Sequence, residues 1–160
     1  MDYVNIGRWF TILHRRSQLF VTQCCKETGL SFSEYVLLIR IYDAEGLSQE
    51  ELASVLYLDK AVVTRSLALL EQKGLIRREV DGRDRRVRRV YLTEYARTQE
   101  AFFQGIIRAW VQYLAAGINA EEVGATIQGF HDAAMRACEV DLTELVTKTK
   151  KELGQDADKA

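Results

Sequence analysis

Apolar residues recur every three or four positions over most of the chain, which is the spacing of one face of an α-helix. This pattern predicts a helix over residues 5–28, a long helix from Thr93 or Thr98 to about residue 116, and a final helix from about Asn119 to residue 151. Proline, which breaks helices, is absent from the 160 residues. The pattern therefore predicts a mainly α-helical protein.

Shorter helical stretches lie between these long ones. A helix that starts after Ser31 or Ser33 is predicted to end near residue 43. Ser48 and Glu51 have the spacing of a capping box, in which each side chain pairs with the backbone of the other residue, so they predict the start of a short helix. Asp59 is placed to cap another helix, which Gly74 would end. Two short helices joined by a tight connection predict a helix-turn-helix.

After Gly74 the pattern changes to that of a β-hairpin. Residues 75–80 and 87–92 flank the turn dipeptide Asp81-Gly82 and an arginine-rich tip. Val90 and Leu92 alternate with polar positions, as expected for a strand with one buried face. The predicted fold class is therefore mainly α with a small β-hairpin wing, a winged helix-turn-helix flanked by N- and C-terminal helices.

The charge is distributed unevenly, although the net charge of the chain is only −1. Residues 1–55 carry a net charge of −2, residues 56–97 a net charge of +5, and residues 98–160 a net charge of −4. A basic segment between two acidic ones indicates a local anionic partner. Because an α-helix fits the major groove, double-stranded DNA is the expected partner.

Several residues are candidates for DNA contacts. On the helix from Asp59, we expect an outward face that can bind phosphates or base edges; it comprises Lys60, Ala61, Thr64 and Arg65. Ser48 and Gln49 at the start of the preceding helix are placed to meet a phosphate. Arg83, Arg85 and Arg86 at the hairpin tip suit the negative potential of a narrow minor groove. Asp84 is expected to pair with a neighbouring arginine and fix the shape of the tip.

These segments resemble the MarR family of bacterial transcription regulators over about residues 47–93. The similarity is carried by LDKAVVTR at 58–65, LEQKGLIR at 70–77, and Asp84-x-Arg86 followed by Leu92-Thr93. The chain departs from the family pattern at Gly82, where many members have proline, and at Leu69, where a polar residue is usual.

The resemblance implies a homodimer that binds a pseudo-palindromic operator. It implies an N-terminal dimerisation helix over residues 1–31, a DNA-binding domain over 32–97, C-terminal dimerisation helices over 98–151 and a flexible tail over 152–160. The protein is then expected to be a cytoplasmic transcriptional regulator, a repressor released by a small ligand.

The resemblance also suggests two kinds of signal. Family members commonly respond to aromatic or phenolic ligands, for which Trp9, Leu13, Arg16 and Tyr42 are the candidates. Some relatives instead sense peroxides through a cysteine on the first helix, and Cys24 and Cys25 lie near its end. Thiol-based peroxide sensing is therefore an alternative within the same fold.

Other classes of function are less consistent with the sequence. A winged-helix protein-interaction module remains an alternative, although such a module does not need the arginine cluster at 83–89. The sequence contains no P-loop, Rossmann or nucleophile-elbow motif, so we expect neither an enzyme nor a cofactor. With two histidines far apart, no metal site is expected, and no apolar stretch is long enough for a membrane helix.

Overall fold

The computed structural model describes residues 2–154 of the chain. The described residues form seven helices and one two-stranded antiparallel sheet. In chain order these are α1 (Tyr3–Cys24), α2 (Phe32–Asp43), α3 (Gln49–Val55), α4 (Lys60–Gln72), β1 (Ile76–Val80), β2 (Arg88–Leu92), α5 (Glu94–Ala115), α6 (Ala120–Glu139) and α7 (Leu142–Glu152). This architecture confirms the predicted fold class, a winged helix-turn-helix flanked by helices.

Local capping interactions explain where several of these helices begin. Ser31 and Glu34 form a capping box at the start of α2, and Ser48 and Glu51 form a second one at the start of α3. The carboxylate of Asp59 accepts hydrogen bonds from the N–H groups of the first turn of α4. Each of these residues supplies an oxygen to backbone donors that have no partner inside the helix.

The wing extends into a third, very short strand-like segment. β1 and β2 pair from Ile76 opposite Leu92 to Val80 opposite Arg88. On the other edge of β2, the backbone of Val90 donates to the carbonyl of Leu47 at 3.0 Å and accepts from the N–H of Gly46 at 2.8 Å. The segment that leads into α3 is therefore attached directly to the wing.

The chain divides into two compact units, one ending at Leu114 and one beginning at Ala115. The core of the first unit is built by apolar side chains from α2, α3, α4, the hairpin and α5. Its largest fully buried members include Leu37, Leu38, Ile41, Leu52, Leu67, Leu70, Ile76 and Phe103. Burial of such side chains stabilises a fold by about 1.5–3 kcal/mol each before the entropic cost of folding is subtracted.

One charged side chain lies within this core. Glu34 is only 2% exposed, and its carboxylate accepts from Lys73, which follows α4. Lys73 also donates to the carbonyl of Gly29 at 2.7 Å. Burial alone would raise the pKa of Glu34, but the hydrogen bonds from Lys73 and Ser31 outweigh it, so the pKa is lowered. Lys73 therefore ties the end of α4 to the first turn of α2 through Glu34, and to the loop before α2 through Gly29.

The aromatic residues of α1 and α5 pack against one another. Phe20 stacks on Trp110 with ring centroids 5.0 Å apart, and the indole N–H of Trp110 donates to the hydroxyl of Ser17 at 2.8 Å. Phe103 is buried in the core, whereas Phe102 on the same helix is 46% exposed. Some apolar side chains of the flanking helices are therefore buried within the chain, and others remain exposed to solvent.

The second unit contains α6 and α7, and the prediction of one continuous final helix is wrong. The helix ends at Glu139, and Asp141 caps a new one by accepting from the N–H groups of Thr143 and Glu144. An aspartate side chain that bonds to nearby backbone N–H groups offers an alternative to continued helix, which explains the break. No described side chain from residue 115 to 154 is buried.

Among the helices of residues 2–154, none combines the length with the hydropathy that a membrane crossing requires.

A candidate nucleic-acid interface

One face of α4 is buried and the opposite face points to solvent. Val63 and Leu67 are completely buried at a spacing of four residues, which fixes the rotation of the helix about its axis. The side chains predicted to contact DNA lie on the opposite face and are all exposed: Lys60, Ala61, Thr64 and Arg65. Within residues 2–154, Arg65 makes no hydrogen bond and no ion pair, so its five donors are available to a ligand.

The start of α3 is connected to this face by a side-chain contact. The amide of Gln49 donates to the hydroxyl of Thr64, which in turn donates to the carbonyl of Lys60 at 2.7 Å. Lys60 also forms an exposed ion pair with Glu50, with the nitrogen and oxygen 3.5 Å apart. The structure thus brings Gln49 and Thr64 together, as expected for one continuous surface across both helices.

Two aspartates shape the tip of the wing through its backbone. The carboxylate of Asp81 accepts from the N–H groups of Arg83 at 2.7 Å and Asp84 at 3.0 Å. The carboxylate of Asp84 accepts from the N–H of Arg86 at 2.9 Å. The side chains of Arg83, Arg85 and Arg86 are all exposed around this turn. The tip is therefore an ordered loop that presents three guanidinium groups to solvent.

The expectation that Asp84 pairs with an arginine side chain is wrong. Its carboxylate is engaged by the backbone, and it is Asp81 that forms the ion pair, with Arg89. The cause is the register of the hairpin: Val80 lies opposite Arg88, which places Asp81 and Arg89 close together across the base of the tip.

A polar groove lies between α3 and the wing. It has a volume of about 480 Å³, and its walls are formed by Ser48, Gln49, Glu50, Asp84, Arg86, Val87 and Arg88. Gln49 therefore faces both this groove and Thr64, and Arg86 faces the groove from the wing. Through these contacts the exposed face of α4 and the tip of the wing belong to one contiguous surface.

Arg89 joins the wing to α3, a role that was not predicted from the sequence. Its guanidinium donates to the carboxylate of Asp81, to the carbonyl of Gly46 at 2.8 Å and to the carboxylate of Glu51 at 3.2 Å. Chiefly because of the hydrogen bond from Arg89, the pKa of Asp81 is lowered to about 2. Alternation along β2 indicates that Arg89 points away from the core, but its partners depend on the hairpin register.

The four candidate effector-binding residues lie outside the apolar cavity that the structure shows between α1, α2 and α5. Trp9 is 58% exposed on α1, and the hydroxyl of Tyr42 donates to the carbonyl of Ala96. A mostly apolar cavity of about 270 Å³ lies between α1, α2 and α5, and neither Trp9, Leu13, Arg16 nor Tyr42 lines it. Its walls are Ser17, Val21, Phe32, Tyr35, Val36, Ile39, Arg40, Asp43, Leu56 and Ile107.

The two adjacent cysteines have different surroundings. Cys25 is completely buried, and burial raises the pKa of its thiol. A reactive thiol needs a lowered pKa and access to solvent, so both properties argue against Cys25 as a peroxide sensor. Cys24 is partly exposed.

Within residues 2–154, no three His, Cys, Asp or Glu side chains are grouped so that they could hold a metal ion.

Comparisons with known proteins agree with this geometry. Residues 28–87 match the model of the MarR family. The chain is 34% identical over 95 residues to the uncharacterized HTH-type transcriptional regulator YdgJ of Bacillus subtilis (strain 168), covering 59% of this chain and 58% of that protein. The chain spans about half the length of the curated relatives it matches.

Solved structures share the fold over most of the chain. A MarR transcriptional regulator from Methanosarcina mazei Go1 superposes with a TM-score of 0.79 at 25% identity, covering 82% of this chain and 95% of that one. A mutant MarR from E. coli complexed with operator DNA superposes with a TM-score of 0.70 at 22% identity, covering 83% of this chain and 95% of that one. Together, the match of the family model over residues 28–87 and the shared fold show that this chain is similar to regulators of the MarR family.

Proposed function

We propose that the chain is a non-enzymatic transcription repressor that binds double-stranded DNA as a homodimer and is released by a small effector. The observation that carries the DNA-binding part is the contiguous surface formed by α4, the start of α3 and the tip of the wing. Gln49 contacts Thr64 on α4 and lines the same groove as Arg86 on the wing. A helix and a basic hairpin held on one surface suit the major groove and the adjacent phosphates or minor groove.

The side chains of this surface have different roles in DNA recognition. Arg65 is exposed and unpaired within the described chain, so it is able to grip a guanine edge with two hydrogen bonds. The arginines at the tip lie on a loop outside the helix that would enter the major groove, and their charge suits phosphates and a narrow minor groove. The structure of a mutant MarR from E. coli with operator DNA supports this use of the fold.

The second unit supports assembly as a homodimer. α6 and α7 leave large apolar side chains on the surface of a single chain, including Ile127, Phe130, Leu142, Leu145 and Val146. A pair of helices with no buried side chain has little free energy of folding by itself. A second copy of the chain would cover these side chains and would place two DNA-binding surfaces on a pseudo-palindromic operator.

The cavity between α1, α2 and α5 is the place where we propose that an effector binds. Its walls are largely apolar, with Arg40 and Asp43 as the charged residues at its edge. An aromatic anion would bury its ring against Tyr35, Phe32 and Ile39 and place its charge near Arg40. The residues that line this cavity differ from the candidates Trp9, Leu13, Arg16 and Tyr42 taken from the sequence.

The test is a DNA-binding assay at two salt concentrations. The full chain is incubated with a random pool of double-stranded oligonucleotides, and the retained sequences are amplified and measured individually. Selection of a pseudo-palindrome, with an affinity that falls steeply with salt, is the expected result. If no sequence is enriched and the salt dependence is weak, the proposal is wrong.

Salicylate, a phenolic carboxylate, is then added as a first effector probe, and it should lower the affinity for the selected DNA.

A further inference from the structure

The wing is held against α3 by one guanidinium group at its base. Arg89 lies on β2, and it contacts Asp81 at the start of the tip, the carbonyl of Gly46 before α3, and Glu51 in the first turn of α3. These three acceptors come from the wing, from the segment before α3 and from α3 itself. The side chains of Arg89 and Asp81 are only 34% and 12% exposed, so the pair is partly shielded from solvent.

Glu51 connects this arrangement to the start of α3. Its carboxylate accepts from the N–H of Ser48 at 2.7 Å, and its own N–H donates to the hydroxyl of Ser48. Ser48 also forms an isolated β-bridge with Arg89. The side-chain and backbone contacts of Arg89 therefore join the wing to the helix whose first residue, Gln49, contacts Thr64 on α4.

We propose that Arg89 and Asp81 are positioning residues that fix the wing relative to α3 and thereby set DNA affinity without contacting DNA. This inference rests on the proposed function. Asp81 orders the tip through the N–H groups of Arg83 and Asp84, while its ion pair with Arg89 anchors the tip to the helix-turn-helix. When the ion pair is broken, the wing samples other orientations. The apparent DNA affinity then equals the intrinsic affinity multiplied by the fraction of time that the wing spends in the binding orientation.

In the variant Asp81→Asn, the loss of a negative charge and the loss of wing positioning should change DNA affinity in opposite directions. Removing a carboxylate from the basic wing makes the surface more positive, so electrostatics alone would tighten DNA binding. Loss of the ion pair instead weakens binding, by about tenfold if the wing is correctly placed a tenth of the time. Because the phosphate contacts of the bound state are the same, the salt dependence should be unchanged.

Two further variants separate these causes. Glu50→Gln removes the same amount of negative charge, from the start of α3, but leaves the ion pair intact, since within residues 2–154 Glu50 pairs with Lys60. This variant should bind DNA more tightly. Arg89→Lys keeps the charge but loses the planar fork that reaches three acceptors, so it should bind more weakly than wild type. Its effect should be smaller in the Asp81→Asn background than in the wild-type chain, because both substitutions break the ion pair between Arg89 and Asp81.

The experiment measures DNA affinity and wing order in the same proteins. Affinity is measured with the oligonucleotide that the wild-type chain selects, and wing order is measured without DNA as the rate of trypsin cleavage at the tip arginines. Weaker binding and faster cleavage of Asp81→Asn, beside tighter binding of Glu50→Gln, are expected. If Asp81→Asn binds as tightly as wild type, or is cleaved at the wild-type rate, the positioning role is overturned while the proposed function stands. If the wild-type chain selects no DNA, the proposed function itself is overturned.

Discussion

The hydroxyl of Tyr35 on α2 donates a hydrogen bond to the backbone carbonyl of Phe103 on α5, with 2.9 Å between the two oxygens. Seven residues further along α2, the hydroxyl of Tyr42 reaches the carbonyl of Ala96 on the same partner helix. Two turns of α2 are therefore attached to two turns of α5. Since α2 packs on α4, these tyrosines connect α4, through α2, to the long flanking helix α5.

The contact between Tyr35 and Phe103 should contribute measurably to stability. Tyr35→Phe removes one buried hydrogen bond with little change in packing, so we expect the free energy of unfolding to fall by about 1 kcal/mol. The measurement is urea unfolding followed by circular dichroism at a fixed protein concentration. Tyr113→Phe, at a tyrosine that is 73% exposed, serves as the control and should have almost no effect.

The same contact predicts a dependence on alkaline pH. Burial is the main cause that raises the pKa of Tyr35 to about 12, above the value near 10 of an unfolded chain. The neutral hydroxyl thus stabilises the folded state fully below pH 10, and this stabilisation is lost as the pH rises toward 12. The difference in unfolding free energy between wild type and Tyr35→Phe should narrow over this range. A constant difference from pH 9 to 11.5 would contradict the assignment.

Arg65 is expected to read a base. Arg65→Ala should reduce DNA affinity by about 1–3 kcal/mol and relax the base preference at one position of each half-site. Arg65→Lys keeps the charge but not the bidentate geometry, so it separates base reading from simple attraction. The measurement is binding to the selected oligonucleotide and to its single-base variants. Equal losses for every variant would mean that Arg65 contacts only phosphate.

Arg86 is expected to contact phosphate rather than bases. Arg86→Ala should weaken binding to all sequences alike and lower the slope of log affinity against log salt by about 1. Lys148→Ala removes one exposed positive charge from α7 and should leave the slope unchanged. The slope is obtained from affinities measured between 50 and 200 mM salt, a range over which phosphate contacts have large effects. An unchanged slope for Arg86→Ala would remove this arginine from the interface.

The apolar surface of α7 is expected to lie between two copies of the chain. Leu145→Glu would place a carboxylate in that interface and should weaken the dimer by about 2–3 kcal/mol. Thr147→Glu introduces the same group on the opposite side of the same helix and should be tolerated, because Thr147 is exposed and bonds only to its own helix. Sedimentation equilibrium of both variants provides the measurement. If Leu145→Glu stays as dimeric as Thr147→Glu, this face of α7 is outside the interface.

Cys25 is expected to be inert in the folded protein. Because it is completely buried and burial raises the pKa of its thiol, alkylation by N-ethylmaleimide should occur at Cys24 first and at Cys25 only after unfolding. Peptide mass spectrometry at successive times distinguishes the two sites. Rapid oxidation of Cys25 by hydrogen peroxide in the native protein, with loss of DNA binding, would favour the alternative of a peroxide-sensing regulator.

The sequence predicted those features that depend on neighbouring residues. The two capping boxes, at Ser31 and Ser48, use contacts three residues apart, so their spacing alone indicates where α2 and α3 begin. The exposed face of α4 likewise follows from the period of its apolar residues. The break at Asp141 was missed because the apolar stripe continues through it.

Contacts between distant segments were less accessible to sequence reasoning. Asp84 is flanked by arginines along the chain and Asp81 is not, yet it is Asp81 that pairs with Arg89, because the register of the hairpin brings these two residues together. The effector candidates illustrate the same limit. Helical periodicity gives the face on which Trp9 or Tyr42 lies, but it does not give the shape of the space between three helices.

Among the described side chains from residue 115 to 154, none is buried, and this has a consequence for the cellular concentration that the protein needs. If α6 and α7 are stabilised only when a second copy covers them, then folding of this part of the chain and encounter with the partner are one event, governed by mass action. Below a threshold abundance, the C-terminal helices would open and become accessible to proteases. The concentration at which the protein acts would then also set the lifetime of the polypeptide.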